Sequence, residues 1–263
     1  MSEASVLFTP SGPVGQITLN RPAQGNAIDM GMARELASVA LHCDTDASIR
    51  CVLLSGLGRL FCAGGDLSLF NDAGYQISGL LSELAGTLHT AFTRLARMQK
   101  PLLTLVNGPA AGAGLSLAIL GDVVLAARSA HFTCAYTSVG LTPDGGMTWM
   151  LPRLVGLRKA QEMLLTNRRI DASEAGRIGL ITRAVDDDSL AAEGTKLAAT
   201  LARSATRALG TTRSLLLQSF DSSFETQLER ETRAIAAAGK DYESIEGIAA
   251  FVSKRPPDFQ GIE

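Results

Sequence analysis

The amino-acid sequence predicts an α/β fold, with strands of a buried sheet alternating with helices and a helical C-terminal region. Residues 51–55 and 102–106 are almost continuously apolar, which is typical of strands covered on both faces. After residue 146 the apolar spacing becomes helical for most of the chain. We therefore expect an α/β core over residues 1–200 and a helical region over residues 201–263.

The first half of the chain alternates strand and helix patterns. Residues 14–19 have a strand pattern that ends in an Asn-Arg-Pro turn. A helix follows, because Met32, Leu36 and Ala40 recur on one face. Leucines at helical spacing predict a further helix within residues 74–99, although three glycines weaken the pattern.

The second half is predicted to be mostly helical. Short helices are expected at residues 149–155, 157–165 and 172–177, because Pro and Gly separate these apolar patterns. A strand is expected at residues 180–185, and three or four helices are expected over residues 190–254. No segment is rich enough in Pro, Gly or Ser to act as a linker between independent domains.

Composition narrows the class of protein. The chain has 263 residues, 46% of them hydrophobic, with a net charge of −2 and dispersed Lys and Arg, so we expect no nucleic-acid partner. The longest apolar run, residues 115–127, is too short to span a membrane. Four cysteines without CxxC pairing and an N-terminus without signal-peptide features favour a reduced cytoplasmic protein. The three histidines have no metal-ligand spacing, so we expect no metal.

Residues 107–114, NGPAAGAG, place very small side chains where a predicted strand meets a helix N-terminus. Backbone N–H groups are unpaired there and attract negative charge, so the loop suits a phosphate or an oxyanion. Nucleotide-binding glycine motifs do not fit these residues. A GxSxG-like match at Ser116 is followed only by His131, which is too near for a serine-hydrolase triad. Tight packing alone remains an alternative explanation.

A second loop of this kind, residues 59–67, RLFCAGGDL, follows the strand at residues 51–55. Two such loops can each offer one N–H group to a shared oxygen, which stabilises an enolate or a tetrahedral oxyanion. With ITLNRP at 17–22, NAI at 26–28 and GLTPDGG at 140–146, the two loops resemble the crotonase superfamily, also called the enoyl-CoA hydratase/isomerase family. The resemblance extends over essentially the whole chain.

This resemblance implies a spiral of ββα units that assembles as a trimer or hexamer, with the C-terminal helices contributing to oligomerisation and to closure of the coenzyme A site. The implied substrate is an acyl-CoA thioester, and no cofactor beyond its coenzyme A is implied. The resemblance assigns the oxyanion hole to the N–H groups of Gly65 and Ala113. Further substrate contacts are expected at Asn26, Ala27, Ile28, Ala63, Asp66, Leu67 and, from a neighbouring subunit, Lys254.

The chain departs from hydratases at two positions where the family has glutamates. Ser116 and Tyr136 occupy them, and neither supplies the carboxylate acid and base that hydration requires. One carboxylate remains, Asp144. A Pro-Asp-Gly turn or a helix cap would also explain this residue. Its surroundings instead resemble those of the ring-epoxide isomerase of phenylacetate degradation and of Δ3,Δ2-enoyl-CoA isomerases, in which an aspartate shuttles a proton. The favoured expectation is therefore an isomerase.

Two alternatives remain open. Aryl-CoA dehalogenases of the family use an aspartate at the position of Asp144 as nucleophile and a histidine at the position of His89. They have tryptophan where this chain has Tyr136, whose hydroxyl could hydrogen-bond Asp144 much as an indole would. A lone histidine on a helix is also commonly a surface or packing residue. A hydratase-like enzyme or a coenzyme A-binding protein without turnover is the other alternative.

Overall fold

The computed structural model describes residues 4–260, which fold into nine strands and eleven α-helices. The strands are β1 (Val6–Ser11), β2 (Val14–Leu19), β3 (Cys51–Gly56), β4 (Leu102–Val106), β5 (Ala110–Ala111), β6 (Val123–Ala127), β7 (His131–Thr133), β8 (Ile170–Asp171) and β9 (Arg183–Val185). The helices are α1 (Met30–Thr45), α2 (Leu67–Ala73), α3 (Ile77–Arg97), α4 (Ala113–Ala118), α5 (Met147–Val155), α6 (Leu157–Thr166), α7 (Ala172–Arg177), α8 (Leu190–Arg203), α9 (Thr206–Ser219), α10 (Phe224–Ala238) and α11 (Tyr242–Val252).

The larger of two sheets has the strand order β1-β2-β3-β4-β6-β9, and its β1/β2 pair is antiparallel while the other pairs are parallel. A smaller sheet has the order β5-β7-β8. Every residue of β4 is buried, as its continuous apolar pattern predicts. Because β3 and β4 are parallel neighbours, the loops that follow them leave the same edge of the sheet. This topology confirms the α/β class and brings the two small-residue loops together.

Most predicted elements occupy their predicted positions. The strands at residues 14–19 and 102–106 and the helix at residues 172–177 have the predicted bounds. The strand predicted at residues 180–185 is shorter than expected, because the N–H groups of Leu180 and Ile181 bond the carbonyl of Ala175 in the turn after α7. Only β9 is left to pair with β6.

Four helices, α8 to α11, form the C-terminal region, and buried charges fasten it to the core. Arg213, only 8% exposed, pairs with Asp122 at 2.6 Å and donates to the carbonyl of Leu95 at 3.1 Å, near the end of α3. The buried Glu243 of α11 pairs with Arg50 of the core at 3.5 Å and also accepts N–H groups at the start of α9. The predicted boundary at residue 200 falls inside α8, and residues 1–3 and 261–263 of the two predicted ranges lie outside the described residues. No helix within residues 4–260 is sufficiently long and apolar to cross a membrane.

Candidate active site

The loops that follow β3 and β4 pack directly on each other. The N–H of Ala111 donates to the carbonyl of Cys62 at 2.9 Å, and Cys62 also forms a bridge with Ala110. Gly64 has a φ of +98°, and a Cβ atom there would lie 2.9 Å from the carbonyl oxygen of Ala111. A larger residue at this position would force the loops apart. The two loops can therefore contact each other only because their side chains are small.

Gly65 and Ala113 lie in these loops with N–H groups available to a ligand. Ala113 is the first residue of α4, so its N–H has no intrahelical acceptor. Across residues 4–260, neither this N–H nor that of Gly65 donates a hydrogen bond. The ring of Phe70 lies against Gly65, where a Cβ atom would meet it at 2.7 Å, and supports the loop from one side. These two donors fit the predicted oxyanion hole.

A cavity of about 420 Å³ opens beside the two loops. Most of its wall is apolar and comes from α2, α3 and the segment before α5. The apolar side chains that line it belong to Ile28, Leu67, Phe70, Leu81, Leu84, Leu88, Val139 and Leu141. Of the described lining residues, Asp144 alone is a carboxylic acid. The site thus combines free N–H donors, an apolar chamber and a single acid/base group.

Two hydroxyl groups hold Asp144 in place. Tyr136 donates its phenolic O–H to Asp144 Oδ1 at 2.6 Å, and the fully buried Ser116 donates to the Asp144 carbonyl at 3.1 Å. The Ser116 and Tyr136 oxygens are 3.3 Å apart. Since each hydroxyl has one proton, already directed at Asp144, this last contact is chiefly packing. The Oδ2 atom of Asp144 remains for a transferred proton.

Tyr136 acts as a donor and not as a base. Burial raises the pKa of its phenol far above the ordinary value of 10.0, and the adjacent Asp144 carboxylate raises this pKa further. The phenol therefore stays protonated at neutral pH and continues to donate to Asp144. The sequence predicts that Ser116 and Tyr136 stand where hydratases have two glutamates. In the structure both residues also orient Asp144, the carboxylate that is present.

His89, on α3, contacts Asp144 but is not part of the cavity wall. Its Nε2 atom lies 3.4 Å from Asp144 Oδ2 and accepts the N–H of Gly145 at 3.0 Å. An Nε2 atom that accepts this N–H carries no proton, which places the imidazole proton on Nδ1. His89 lines a second, solvent-facing hollow with Asp44 and Arg94 and is not part of the cavity wall.

Comparison with known proteins agrees with this geometry. The sequence model of the enoyl-CoA hydratase/isomerase family matches residues 10–262. The chain belongs to the enoyl-CoA hydratase/isomerase family. It is 39% identical over 249 residues to the 1,2-epoxyphenylacetyl-CoA isomerase of Escherichia coli K12, an alignment that covers 93% of this chain and 94% of the relative.

Other members of the enoyl-CoA hydratase/isomerase family carry different activity names. The 2,3-dehydroadipyl-CoA hydratase of Escherichia coli K12 is 34% identical over 245 residues, with 93% of this chain and 94% of the relative covered. The crystal structure of an enoyl-CoA hydratase/isomerase from Cupriavidus metallidurans CH34 superposes with a TM-score of 0.91 at 33% identity, covering 100% of this chain and 98% of that one. The crotonase-like fold is thereby confirmed, and the family contains both isomerases and hydratases.

The substrate-contact residues that the family resemblance implied divide into two groups. Ile28, Ala63 and Leu67 line the cavity, as does Tyr136. Asn26 is fully buried, and its side-chain amide donates to the carbonyls of Leu57, Leu60 and Phe61. The role that the structure gives Asn26 is to shape the loop after β3.

Ala27, Asp66 and Lys254 also lie outside the cavity wall of their own chain. Asp66 caps the N-terminus of α2 and pairs with Arg21 at 3.2 Å, and Arg21 also donates to the carbonyl of Ala27. Asp66 therefore has a structural role, as its position before a helix also indicates in the sequence. Lys254 is exposed just after α11, and its expected contact from a neighbouring subunit stays a prediction.

Among residues 4–260, neither a reactive cysteine nor a metal-binding cluster is brought to the site. The four cysteines are buried and unpaired, and burial raises the pKa of each thiol to about 12. Such thiols are poor nucleophiles. Within the described part of the chain, no group of three or more His, Cys, Asp or Glu side chains is arranged to hold a metal ion.

Proposed function

We propose that the protein is an isomerase that moves a double bond, or rearranges a ring epoxide, within an acyl-CoA thioester. The observation that carries the proposal is the single carboxylate on the cavity wall, Asp144, fixed by Tyr136 with Oδ2 left to act. One acid/base group is enough for a proton to leave one carbon and return to another. The isomerase named among the relatives agrees with this chemistry.

The reaction begins with the thioester oxygen bound to the N–H groups of Gly65 and Ala113. Asp144 removes a proton from the carbon beside the thioester carbonyl, and the released electron pair moves onto the carbonyl oxygen as an enolate. Two preorganised N–H donors lower the free energy of this oxyanion. Asp144 then returns its proton to the far carbon of the conjugated system, so no atom is gained or lost.

These residues support hydration less well than isomerisation. Adding water to a 2-enoyl thioester requires one group to activate the water and another to protonate carbon. Ser116 is fully buried and is not part of the cavity wall, and the raised pKa of Tyr136 keeps its phenol protonated. Asp144 would have to perform both tasks alone. An enoyl-CoA hydratase or a coenzyme A-binding protein without turnover remains an alternative outcome of the test below.

A second candidate function is suggested by the contact between His89 and Asp144, 3.4 Å from Nε2 to Oδ2. In an aryl-CoA dehalogenase-like reaction, Asp144 would displace halide from the ring, and His89 would activate the water that hydrolyses the resulting ester. The position of His89 outside the cavity wall favours this reaction less than isomerisation.

The proposed coenzyme A path runs past Ile28, Ala63 and Leu67, with Lys254 of a neighbouring subunit near the phosphates in a trimer or hexamer. The apolar chamber fits a neutral acyl group, either a linear 3-enoyl chain or a ring. Free cysteines fit the reducing cytoplasm that the sequence suggests.

The test is turnover of 3-enoyl, 2-enoyl and 4-halobenzoyl CoA esters in deuterated water, with product masses recorded. Isomerisation gives double-bond migration without added oxygen. Halide release would identify the dehalogenase-like reaction, and addition of water to the 2-enoyl ester would identify a hydratase. Binding without any product, both for these three esters and for a ring-epoxide coenzyme A ester, would show that the protein only binds coenzyme A esters.

A further inference from the structure

We propose that His89 is a proton outlet that connects Asp144 to solvent through a hollow distinct from the substrate cavity. The inference rests on the proposed isomerase function and adds a second route for the shuttled proton. A proton taken from the substrate by Asp144 either returns to the substrate or leaves through His89 and is replaced from water.

The geometry around Asp144 separates these two routes. Its Oδ1 atom is occupied by the Tyr136 hydroxyl, whereas Oδ2 lies 3.4 Å from His89 Nε2. In the resting state neither Oδ2 nor Nε2 carries a proton, and the lone pair of Nε2 accepts the N–H of Gly145. Once Asp144 has taken a proton on Oδ2, its O–H can displace the Gly145 N–H from the single Nε2 lone pair, so that the Gly145 hydrogen bond breaks as the one from Oδ2–H to Nε2 forms. The contact is thus favourable in the protonated intermediate and not in the resting enzyme.

The far side of the imidazole is open to water. The His89 side chain is 45% exposed and lines a hollow of about 510 Å³ that is separate from the substrate cavity. The charged groups around this hollow are Asp44, which pairs with Arg94 at 3.1 Å, and Arg97. A proton can therefore leave the imidazole without passing through an apolar chamber filled by substrate.

The transfer balances as a relay. The Oδ2–H bond of Asp144 breaks as Nε2–H forms, and the Nδ1 proton then passes to water, so Asp144 is a carboxylate again and His89 is neutral. The reverse sequence restores a solvent proton to Asp144 before it reaches the far carbon. No electron transfer and no further reactant is involved.

The experiment follows label loss from a 3-enoyl-CoA deuterated at the carbon beside the thioester, in ordinary water. The variant His89→Gln can still accept the Gly145 N–H through its amide oxygen but cannot relay a proton. We expect wild type to lose part of the deuterium, and the variant to lose at least about fivefold less per turnover while turnover stays within about tenfold. Thr93→Ala, which alters the same hollow without touching Asp144, is the matched control and should exchange like wild type.

Equal label loss in wild type and His89→Gln would overturn the relay, and so would full retention of deuterium by wild type. Failure of the isomerase proposal is distinguishable, because wild type would then show no double-bond migration. A second measurement needs no turnover and no variant: ¹⁵N NMR of the imidazole in the free protein should show a protonated Nδ1 and an unprotonated Nε2. A protonated Nε2 in the resting state would contradict the acceptor geometry on which the relay depends.

Discussion

The site contains two halves that differ in what they contribute. The loops after β3 and β4 contribute backbone N–H groups at Gly65 and Ala113, and their side chains matter mainly by being small. The segment after β7 contributes the side chains of Tyr136 and Asp144, which are tied to each other at 2.6 Å. In the backbone half, activity is lost when a substitution adds atoms to a small residue. In the side-chain half, activity is lost when a substitution removes a functional group. Each of the following changes acts on one half.

The largest effect is expected for Asp144→Asn in the side-chain half. An amide cannot take a proton from carbon, so turnover should fall by at least about 10³-fold. Affinity for a coenzyme A ester, measured by calorimetry, should stay within about threefold because Gly65 and Ala113 still hold the thioester. A variant that keeps turnover within tenfold of wild type would remove Asp144 from the mechanism.

Gly114→Ala tests the backbone half. A Cβ atom at this position would overlap the carbonyl of Cys62 and displace the Ala113 N–H. We expect kcat/KM to fall by about 10²-fold, and the free energy of unfolding to fall by about 1–3 kcal/mol. Steady-state kinetics and urea unfolding provide both numbers.

The matched control is Gly79→Ala, an exposed glycine of α3 with nothing within 4 Å of the added atom. It should leave kinetics unchanged and raise stability by up to about 1 kcal/mol. Equal losses at Gly114 and Gly79 would mean that contact between the two loops is not what Gly114 protects.

Tyr136→Phe should lower kcat by about tenfold with little change in KM, because the carboxylate loses the donor that fixes Oδ1. Activity equal to wild type would show that the hydrogen bond does not orient Asp144. Phe is the most specific substitution at this position, because it removes only the hydroxyl and keeps the ring that lines the cavity.

The raised pKa of Tyr136 also predicts a pH dependence of stability. The native phenol keeps its proton above pH 10, where the unfolded phenol has lost it, so this contribution is complete below about pH 10 and declines as pH rises further. The difference in tyrosinate absorbance between native wild type and Tyr136→Phe should stay flat through about pH 11. A tyrosinate signal near pH 10 in that difference would contradict the burial argument.

Ser116→Ala should have the smallest effect, a loss of about twofold to fivefold in kcat and about 1 kcal/mol in stability, since one buried hydrogen bond to the Asp144 carbonyl is removed. Ser82→Ala, which removes a serine hydroxyl from the cavity wall, is the control and should not lower stability. A loss at Ser116 as large as that at Asp144 would assign the serine a direct chemical role.

The two halves also differ in how well the sequence predicted them. The oxyanion loops could be located because close backbone contact requires small residues directly after buried strands, and that signal is local. No local signal indicates the contacts of Asp144: the hydrogen bond from Tyr136 is suggested only by the resemblance to dehalogenases, and the contact with Ser116 is not suggested at all. Ser116 and Tyr136 are separated from it by 28 and 8 residues, and their hydrogen bonds depend on how α4 and the segment after β7 pack.

Other differences have physical causes of the same kind. The family resemblance implies a substrate contact at Asn26, yet its amide donates to three carbonyl groups of the next loop. The helix predicted within residues 74–99 was expected to be weakened by glycines. It forms as α3 because its apolar face, including Leu84, Leu88 and Leu95, is buried against the core.

Proton transfer by Asp144 alone is tested most directly by a crystal structure of Asp144→Asn with a bound 3-enoyl-CoA. The thioester oxygen should lie about 3 Å from the N–H groups of both Gly65 and Ala113. The side chain of residue 144 should lie within about 4 Å of both carbons that exchange the proton. A thioester oxygen bound elsewhere, or only one of these carbons within reach, would contradict proton transfer by a single aspartate.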